Sequence, residues 1–288
     1  MSPTRPPLFT LRVSAQRCVY DARVNDVTVY RDPRGDAVQT EFPVNHLLRS
    51  GRNVLSVLLR PSPGDEALDL RAECVATLRV RPMGADRDAA VVITAVGLGV
   101  AAAAAPATDR LDGADGYRAS ASGDTLVTAP ERRSVEGLEV FERAVEGPLP
   151  FPLWRWLQSP TIASDATLLP RLLDVYRHLW ALFRARDAAA VTALLQEKNA
   201  ELAVAFARTP EELRRSSSTE AVLSDPAWEL APLDDPEPRV DLLGGGRLVR
   251  LVRADGSPML SLRLQGSVWS AGLELLLRTD GRSWVITR

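Results

Sequence analysis

The sequence predicts an all-β antiparallel sandwich over residues 1–146, a connector over 147–166, and an α+β domain over 167–288 in which helices pack on a curved antiparallel sheet. Three observations predict this. Residues 8–145 hold short runs of β-branched or alternating apolar residues separated by Gly, Pro, Asn or Asp, with no long helical pattern between them. Residues 147–160, GPLPFPLWRWLQSP, put four prolines and two tryptophans into one short span. Beyond that span the apolar period becomes helical, then returns to strands.

The first half reads as strands over 8–13, 17–24, 27–31, 53–60, 68–81 and 89–98. Asn25-Asp26 lies between two of them and suits a tight hairpin, because both residues tolerate positive φ. Residues 32–52 read as an extended segment followed by a one-turn element, HLLRSGRN. Residues 106–134 are polar and turn-rich and predict a long loop or a ragged edge, and a strand-like pattern returns over 134–145. The connector's prolines make it a semi-rigid segment.

In the second half, Leu168, Leu169, Leu172, Leu173, Tyr176, Leu179, Trp180 and Phe183 recur at helical spacing and predict one buried face. Pro170 fits the first turn, where its missing N–H costs nothing. Asp187 predicts an N-cap for a second helix with Val191, Leu194, Leu195, Leu202 and Phe206 inward. Thr209-Pro210-Glu211-Glu212 is a capping box with proline at its start. Strands are expected over 228–233, 239–243, 247–253, 259–264, 268–279 and 283–287, with Ala254-Asp255-Gly256 and Thr279-Asp280-Gly281-Arg282 as hairpin signals.

The pattern V-N-D-V-x-V … F-P-V-N-x-L-L-x-S-G-x-N-x-L-x-V over 24–57 resembles the jelly-roll, galactose-binding-like β-sandwich. That resemblance implies a module that binds or braces. Tyr176, Asp187, Leu194, Asp280, Gly281, Trp284 and Ile286 are similar to a pattern of the SnoaL-like or ketosteroid-isomerase-like cone. This second resemblance covers about 120 residues. It implies a helix packed into a curved sheet, a fold that hosts enzymes, binding pockets and dimerisation modules. A homodimer is therefore within its range.

The formal net charge is -2, which argues against a nucleic-acid partner, since phosphate binding needs a basic face. Lys198 is the only lysine, and the scattered arginines read as coding bias. The longest apolar run, 89–105, is shorter than a membrane span of ~20 residues, so no membrane insertion is expected. The N-terminal prolines do not suit a signal peptide, which predicts a cytoplasmic chain, or a periplasmic one if a leader was removed. Cys18 and Cys74, the only cysteines, lie in strand-like runs. They read as two buried thiols, or as one bridge in an oxidising compartment.

No metal and no cofactor is expected. The cysteine and histidine spacings form no zinc set, and His46 and His178 are the only histidines. Asp21, Asn25, Asp26, Asp32 and Asp36 offer oxygen ligands, but their spacing fits no calcium loop and turn formation explains them. Gly244-Gly245-Gly246 is followed by a strand rather than a helix, so it reads as a hairpin loop and not a phosphate cradle. His178 and Asp174 fall off the apolar stripe. Asp241 and Glu274 are lone strand carboxylates, which are usually solvated. No nucleophile–base pair is visible, so no catalytic residue is assigned and the chain is expected not to be an enzyme.

The contact candidates are Trp154, Arg155 and Trp156, because Trp and Arg are frequent interface hot spots. The competing reading buries both tryptophans between the domains. The chain is therefore expected to be a non-enzymatic interaction protein with a protein partner, by general analogy a toxin-neutralising immunity protein or a secretion accessory. Two alternatives remain open. One is carbohydrate binding through the sandwich, although Tyr20, Tyr30 and Phe42 read as core rather than as a sugar platform. The other is a small-molecule enzyme or binder using a cone cavity, if Phe183, Phe206 and Trp269 leave that cavity empty.

Overall fold

The computed structural model describes residues 6–99, 126–135, 137–217, 219–265, 267–269 and 275–287. The chain divides into two compact units, Met1–Leu153 and Trp154–Arg288. Antiparallel sheets dominate, and most helices lie in the second half.

In the first unit the strands are β1 (Leu8–Gln16), β2 (Val19–Val24), β3 (Val27–Asp32), β4 (Val38–Pro43), β5 (Gly51–Arg60), β6 (Glu73–Arg81), β7 (Val91–Leu98), β8 (Leu126–Val127), β9 (Glu131–Val135) and β10 (Leu138–Gly147). One sheet runs β4-β1-β6-β7 and the other β3-β2-β5-β10, with β8 and β9 both paired to β10. They pack face to face, β5 and β10 over β6 and β7. Alternation decides which side chains face inward. Phe9, Leu11, Val13 and Ala15 of β1 are buried, as are Cys74, Ala76, Leu78 and Val80 beside them. Leu55, Val57 and Leu59 of β5 and Tyr20, Ala22 and Val24 of β2 supply the opposite layer.

The asparagines of the pattern over 24–57 tie this unit together. Asn25 and Asp26 have φ of 52° and 61° and close the β2–β3 hairpin. The Asn25 amide donates to the Leu47 carbonyl at 2.8 Å and to Asn53 Oδ1 at 2.9 Å, while its oxygen accepts from the Val54 N–H at 2.9 Å. Asn53 also accepts from the Arg49 N–H at 2.9 Å and donates to its carbonyl at 2.8 Å. Asn45, in a single 3-10 turn over Asn45–Leu47, accepts from Phe9 N–H at 2.7 Å and donates to the Pro7 carbonyl at 2.9 Å. Buried polar groups must be paired, and these three amides tie the backbone of the loops at Pro7, Leu47 and Arg49 to that of the strand residues Phe9 and Val54.

Most expected strands are present with shifted ends. The loop expected over 106–134 lies mostly outside the described residues, but its last part forms β8 and β9. All residues of β9, ERRSV, are exposed, so no alternation marks it in the sequence.

The second unit opens with α1 (Arg155–Gln158) and continues through α2 (Leu168–Arg184), α3 (Ala188–Leu194), α4 (Gln196–Phe206), α5 (Pro210–Ser216) and α6 (Thr219–Ser224). Asp187 caps α3 by accepting from the Ala190 N–H at 2.9 Å. The Thr209–Glu212 box is complete, with bonds of 3.2 Å and 2.7 Å. The expected second helix is two helices that meet at Leu195, which changes the buried face. Val191, Leu195, Ala203 and Ala205 are buried, Leu202 and Phe206 are half-buried, and Leu194 is exposed rather than inward.

The strands of this unit are β11 (Glu229–Leu230), β12 (Arg239–Leu243), β13 (Leu248–Val252), β14 (Leu262–Leu264), β15 (Ser267–Trp269), β16 (Leu277–Thr279) and β17 (Trp284–Ile286). They form two small sheets, β11-β14-β15 and β12-β13-β16-β17, where one curved sheet was expected. The chain parts at Ala254-Asp255-Gly256. Only a bridge, Val252 to Pro258, follows that turn, because proline has no N–H to extend a ladder and the chain crosses to the other sheet. The buried stripe of α2 shares one core with the strand residues Val249, Leu251, Leu262, Leu277 and Ile286. Tyr176 threads this core, its hydroxyl accepting from the Leu251 N–H at 3.1 Å.

The unit boundary divides the expected connector. Its later part is fastened to the turn between β12 and β13. The Ile162 N–H donates to the Gly246 carbonyl at 2.7 Å, and Arg247 Nη1 donates to the Ser159 carbonyl at 2.7 Å. Gly244, at φ +60°, lies under the Trp156 indole, where an added Cβ would sit 2.8 Å from Cζ3. Glycine is required there twice over, by backbone sign and by space.

Candidate binding cleft

A cleft of about 780 Å³ opens in the second unit between α2, the α3–α4 junction and β17. Its volume falls within the ~300–1,000 Å³ typical of ligand pockets. Val175, His178 and Leu179 line it from α2, Leu194 and Ala200 from the α3–α4 side, and Trp284, Val285 and Ile286 from β17. The helix break at Leu195 exposes Leu194 on this wall.

The charged floor is built from residues far apart in sequence. Arg278 Nε lies 2.6 Å from Glu197 Oε1 and its Nη2 2.5 Å from Oε2, a bidentate pair. Arg155 Nη1 reaches the same Oε2 at 3.1 Å, and the Arg155 N–H donates to Glu201 at 2.8 Å. The Glu197 side chain is 10% exposed, whereas that of Arg155 is 67% exposed. Burial alone would push the Glu197 carboxyl up. The Arg278 and Arg155 hydrogen bonds outweigh burial and hold it below the usual glutamate range. Nearby, the Arg171 guanidinium sits 5.2 Å over the Trp284 ring.

The three contact candidates separate. Trp154 and Trp156 are each 1% exposed, while Arg155 stands at the cleft. The Trp156 indole N–H is buried with no hydrogen-bond partner among the described residues.

Of the groups weighed for catalysis, Asp174 and His178 both line the cleft. His178 and Asp174 are exposed, and Asp174 pairs with Arg177 at 2.8 Å. Asp241 pairs with Arg250 at 3.2 Å. Glu274 and the Trp269 side chain lie outside the described residues. Phe183 is buried in the core under α2, and neither it nor Phe206 lines the cleft.

In the first unit, the oxygen-rich residues weighed for calcium are engaged otherwise. Asp21 is bound by Arg23 at 2.7 Å and Arg31 at 2.9 Å. Burial would raise its carboxyl, and those two guanidinium groups hold it low instead. Arg23 also reaches Asp26 at 2.8 Å. Asp32 accepts from the Arg34 and Asp36 N–H groups at 3.0 Å and 2.9 Å, which fixes a turn. Among the described residues no group of three or more His, Cys, Asp or Glu side chains could hold a metal.

Cys18 and Cys74 are free thiols with no exposed surface. The Cys18 thiol beside it, together with burial, pushes the Cys74 thiol up. A second concavity of about 320 Å³ gathers Arg12, Glu41, Arg79, Arg87 and Asp88, with no aromatic side chain in its wall. Tyr20 is buried, and Tyr30 stacks on Phe42 at 5.1 Å, so these rings satisfy one another. No helix among the described residues is long and apolar enough to cross a membrane.

Glu197 and Ala200 line the cleft and Arg278 holds Glu197 in place, and sequence reasoning passed over all three. Glu197 and Arg278 are 81 positions apart, a separation no local pattern can reveal. Comparison of the chain with known protein families, curated proteins and solved structures found no match.

Proposed function

We propose that this chain is a non-enzymatic binding protein that acts through a polypeptide partner seated in the cleft of the second unit. The open cleft itself carries this reading. Its acidic floor is already neutralised, since both Glu197 oxygens are held by arginine. Such a carboxylate is poised to anchor and not to move protons. The mouth offers Leu194, half-buried Trp284 and the spare donors of Arg155, the mix of apolar anchor and charged rim found at interfaces. Toxin neutralisation and assistance to secretion both fall within this reading.

The test is affinity capture from the source organism with the full chain and with Ala200→Trp. Ala200 is exposed on α4 and lines the cleft, so the indole fills the cavity without entering the core. One stoichiometric polypeptide, captured by the parent and lost with the variant at unchanged melting temperature, is expected. Equal capture by both, or none by either, contradicts the proposal. A small molecule that co-purifies with the parent alone also contradicts it, and assigns the cleft to that ligand.

A further inference from the structure

We propose that Cys18 and Cys74 join as a disulfide when the first unit folds in the presence of a small-molecule disulfide, and that the finished sandwich then locks the pair in the redox state in which it closed.

The two residues meet across the unit. Cys18 lies in the turn by which the chain leaves β1 in one sheet and enters β2 in the other. Cys74 lies on β6, which pairs with β1, and stands opposite Ala15 in that ladder. The chain turns at Arg17, whose φ is 59°. Cys18 Sγ comes to 3.6 Å from the Glu73 carbonyl oxygen, one residue before Cys74. The two thiols are hydrogen-bonded to each other, and neither has exposed surface. Folding thus supplies the proximity that a disulfide requires.

Burial sets the timing. Thiol–disulfide exchange requires access to the attacking sulfur. In the folded unit the turn between β3 and β4 presses on one member and β7 on the other. A Cβ added to Gly35 would lie 3.6 Å from the Cys18 carbonyl carbon, and one added to Gly97 would lie 1.9 Å from the Cys74 carbonyl oxygen. The oxidant must act before these segments close. One cysteine thiolate attacks the small disulfide, forms a mixed disulfide and releases one small thiol. The other thiolate attacks the protein sulfur of that mixed disulfide and releases the second. Two cysteine thiols become one cystine, the small disulfide becomes two small thiols, and the two protons pass to them. The bridge closes a ring over residues 18–74 that contains β2 to β5 and so spans both sheets. A ring of that length removes much of the freedom of the unfolded chain.

The experiment unfolds and reduces the full chain in urea, then refolds it by dilution into oxidised and reduced glutathione or into reductant alone. Thiols are counted by alkylation in urea, and the chain is digested with trypsin. After refolding in glutathione the chain is expected to show no free thiol, to have lost the mass of two hydrogens, and to yield segment 18–23 joined to segment 72–79. Chain already folded in reductant and then moved to the same glutathione buffer should oxidise roughly a hundredfold more slowly. By calorimetry the first unit of the bridged form should melt about 5–15 °C above that of the reduced form. If the chain does not refold, the same measurements are made on chain synthesised in a cell-free reaction with and without glutathione disulfide, and folded reduced chain is exposed to the oxidant afterwards. Free thiols or glutathione adducts in place of the bridge overturn the pairing. A bridged form that melts no higher than the reduced form overturns the native placement of the two sulfurs. Equal oxidation of chain before and after folding overturns the lock.

Discussion

Trp156 and Gly244 offer a stringent test of how the second unit is assembled, because the structure sets the sign and size of their coupling. Replacing Gly244 with alanine meets two costs. Its φ of +60° is left-handed, which costs an L-residue roughly 1–2 kcal/mol. The new Cβ also lies 2.8 Å from the Trp156 ring, an overpacking worth about 1–3 kcal/mol. Trp156→Ala alone should cost about 3–5 kcal/mol. With the indole gone the steric cost disappears and only the backbone cost of Gly244→Ala remains. The double variant should then be more stable than additivity predicts by about 1–3 kcal/mol. All six tryptophans lie in the second unit, so intrinsic fluorescence during urea unfolding reports that unit alone. Trp156→Leu serves if the alanine variant is unfolded in buffer. Costs that add within about 0.5 kcal/mol refute the placement of the indole on this turn.

Other consequences are as direct. Glu197 has a folded pKa below its unfolded value of about 4.3, so its pairing stabilises the protein above that pH and the contribution fades as pH falls through the folded value. Glu197→Gln should therefore be less stable than the parent at pH 7, and urea midpoints of the two should converge as pH falls through the folded value; a constant gap contradicts the pairing. Cys18 and Cys74 should resist a disulfide-exchange reagent in the native state and both react in urea, whereas fast native reaction of either excludes the buried placement. Asn25→Ala should cost about 1–3 kcal/mol by stranding the Leu47 carbonyl and Val54 N–H, and Asn25→Gly should recover the backbone conformation but not those bonds. Thr209→Ala should cost about 1 kcal/mol, since the cap is fully formed.

The sandwich was legible because β1, β2, β5 and β6 each bury alternate residues, which leaves a period of two in the sequence. The hairpin at Asn25-Asp26 and the caps at Asp187 and Thr209 were legible because their chemistry is local. β9 was not, since a strand exposed on both faces carries no apolar period. The break between α3 and α4 was missed because Leu194 and Leu195 both fit one continuous helix, and only packing chose between them. The cleft was beyond local reading. Its walls come from 155, 174–179, 193–200 and 277–286, and it exists only once those segments meet. Arg155 was singled out for its residue type. Its position beside Glu197, and the burial of its two tryptophan neighbours, belong to tertiary structure.

Site-specific photocrosslinking tests the binding cleft most directly. Benzoylphenylalanine is placed at Ala200 in the cleft and, separately, at Leu70, which is fully exposed in the first unit. Irradiated in lysate of the source organism, the chain labelled at Ala200 is predicted to form one discrete polypeptide adduct that the chain labelled at Leu70 does not form. The same adduct from both positions, or an adduct from Leu70 alone, contradicts a partner seated in the cleft.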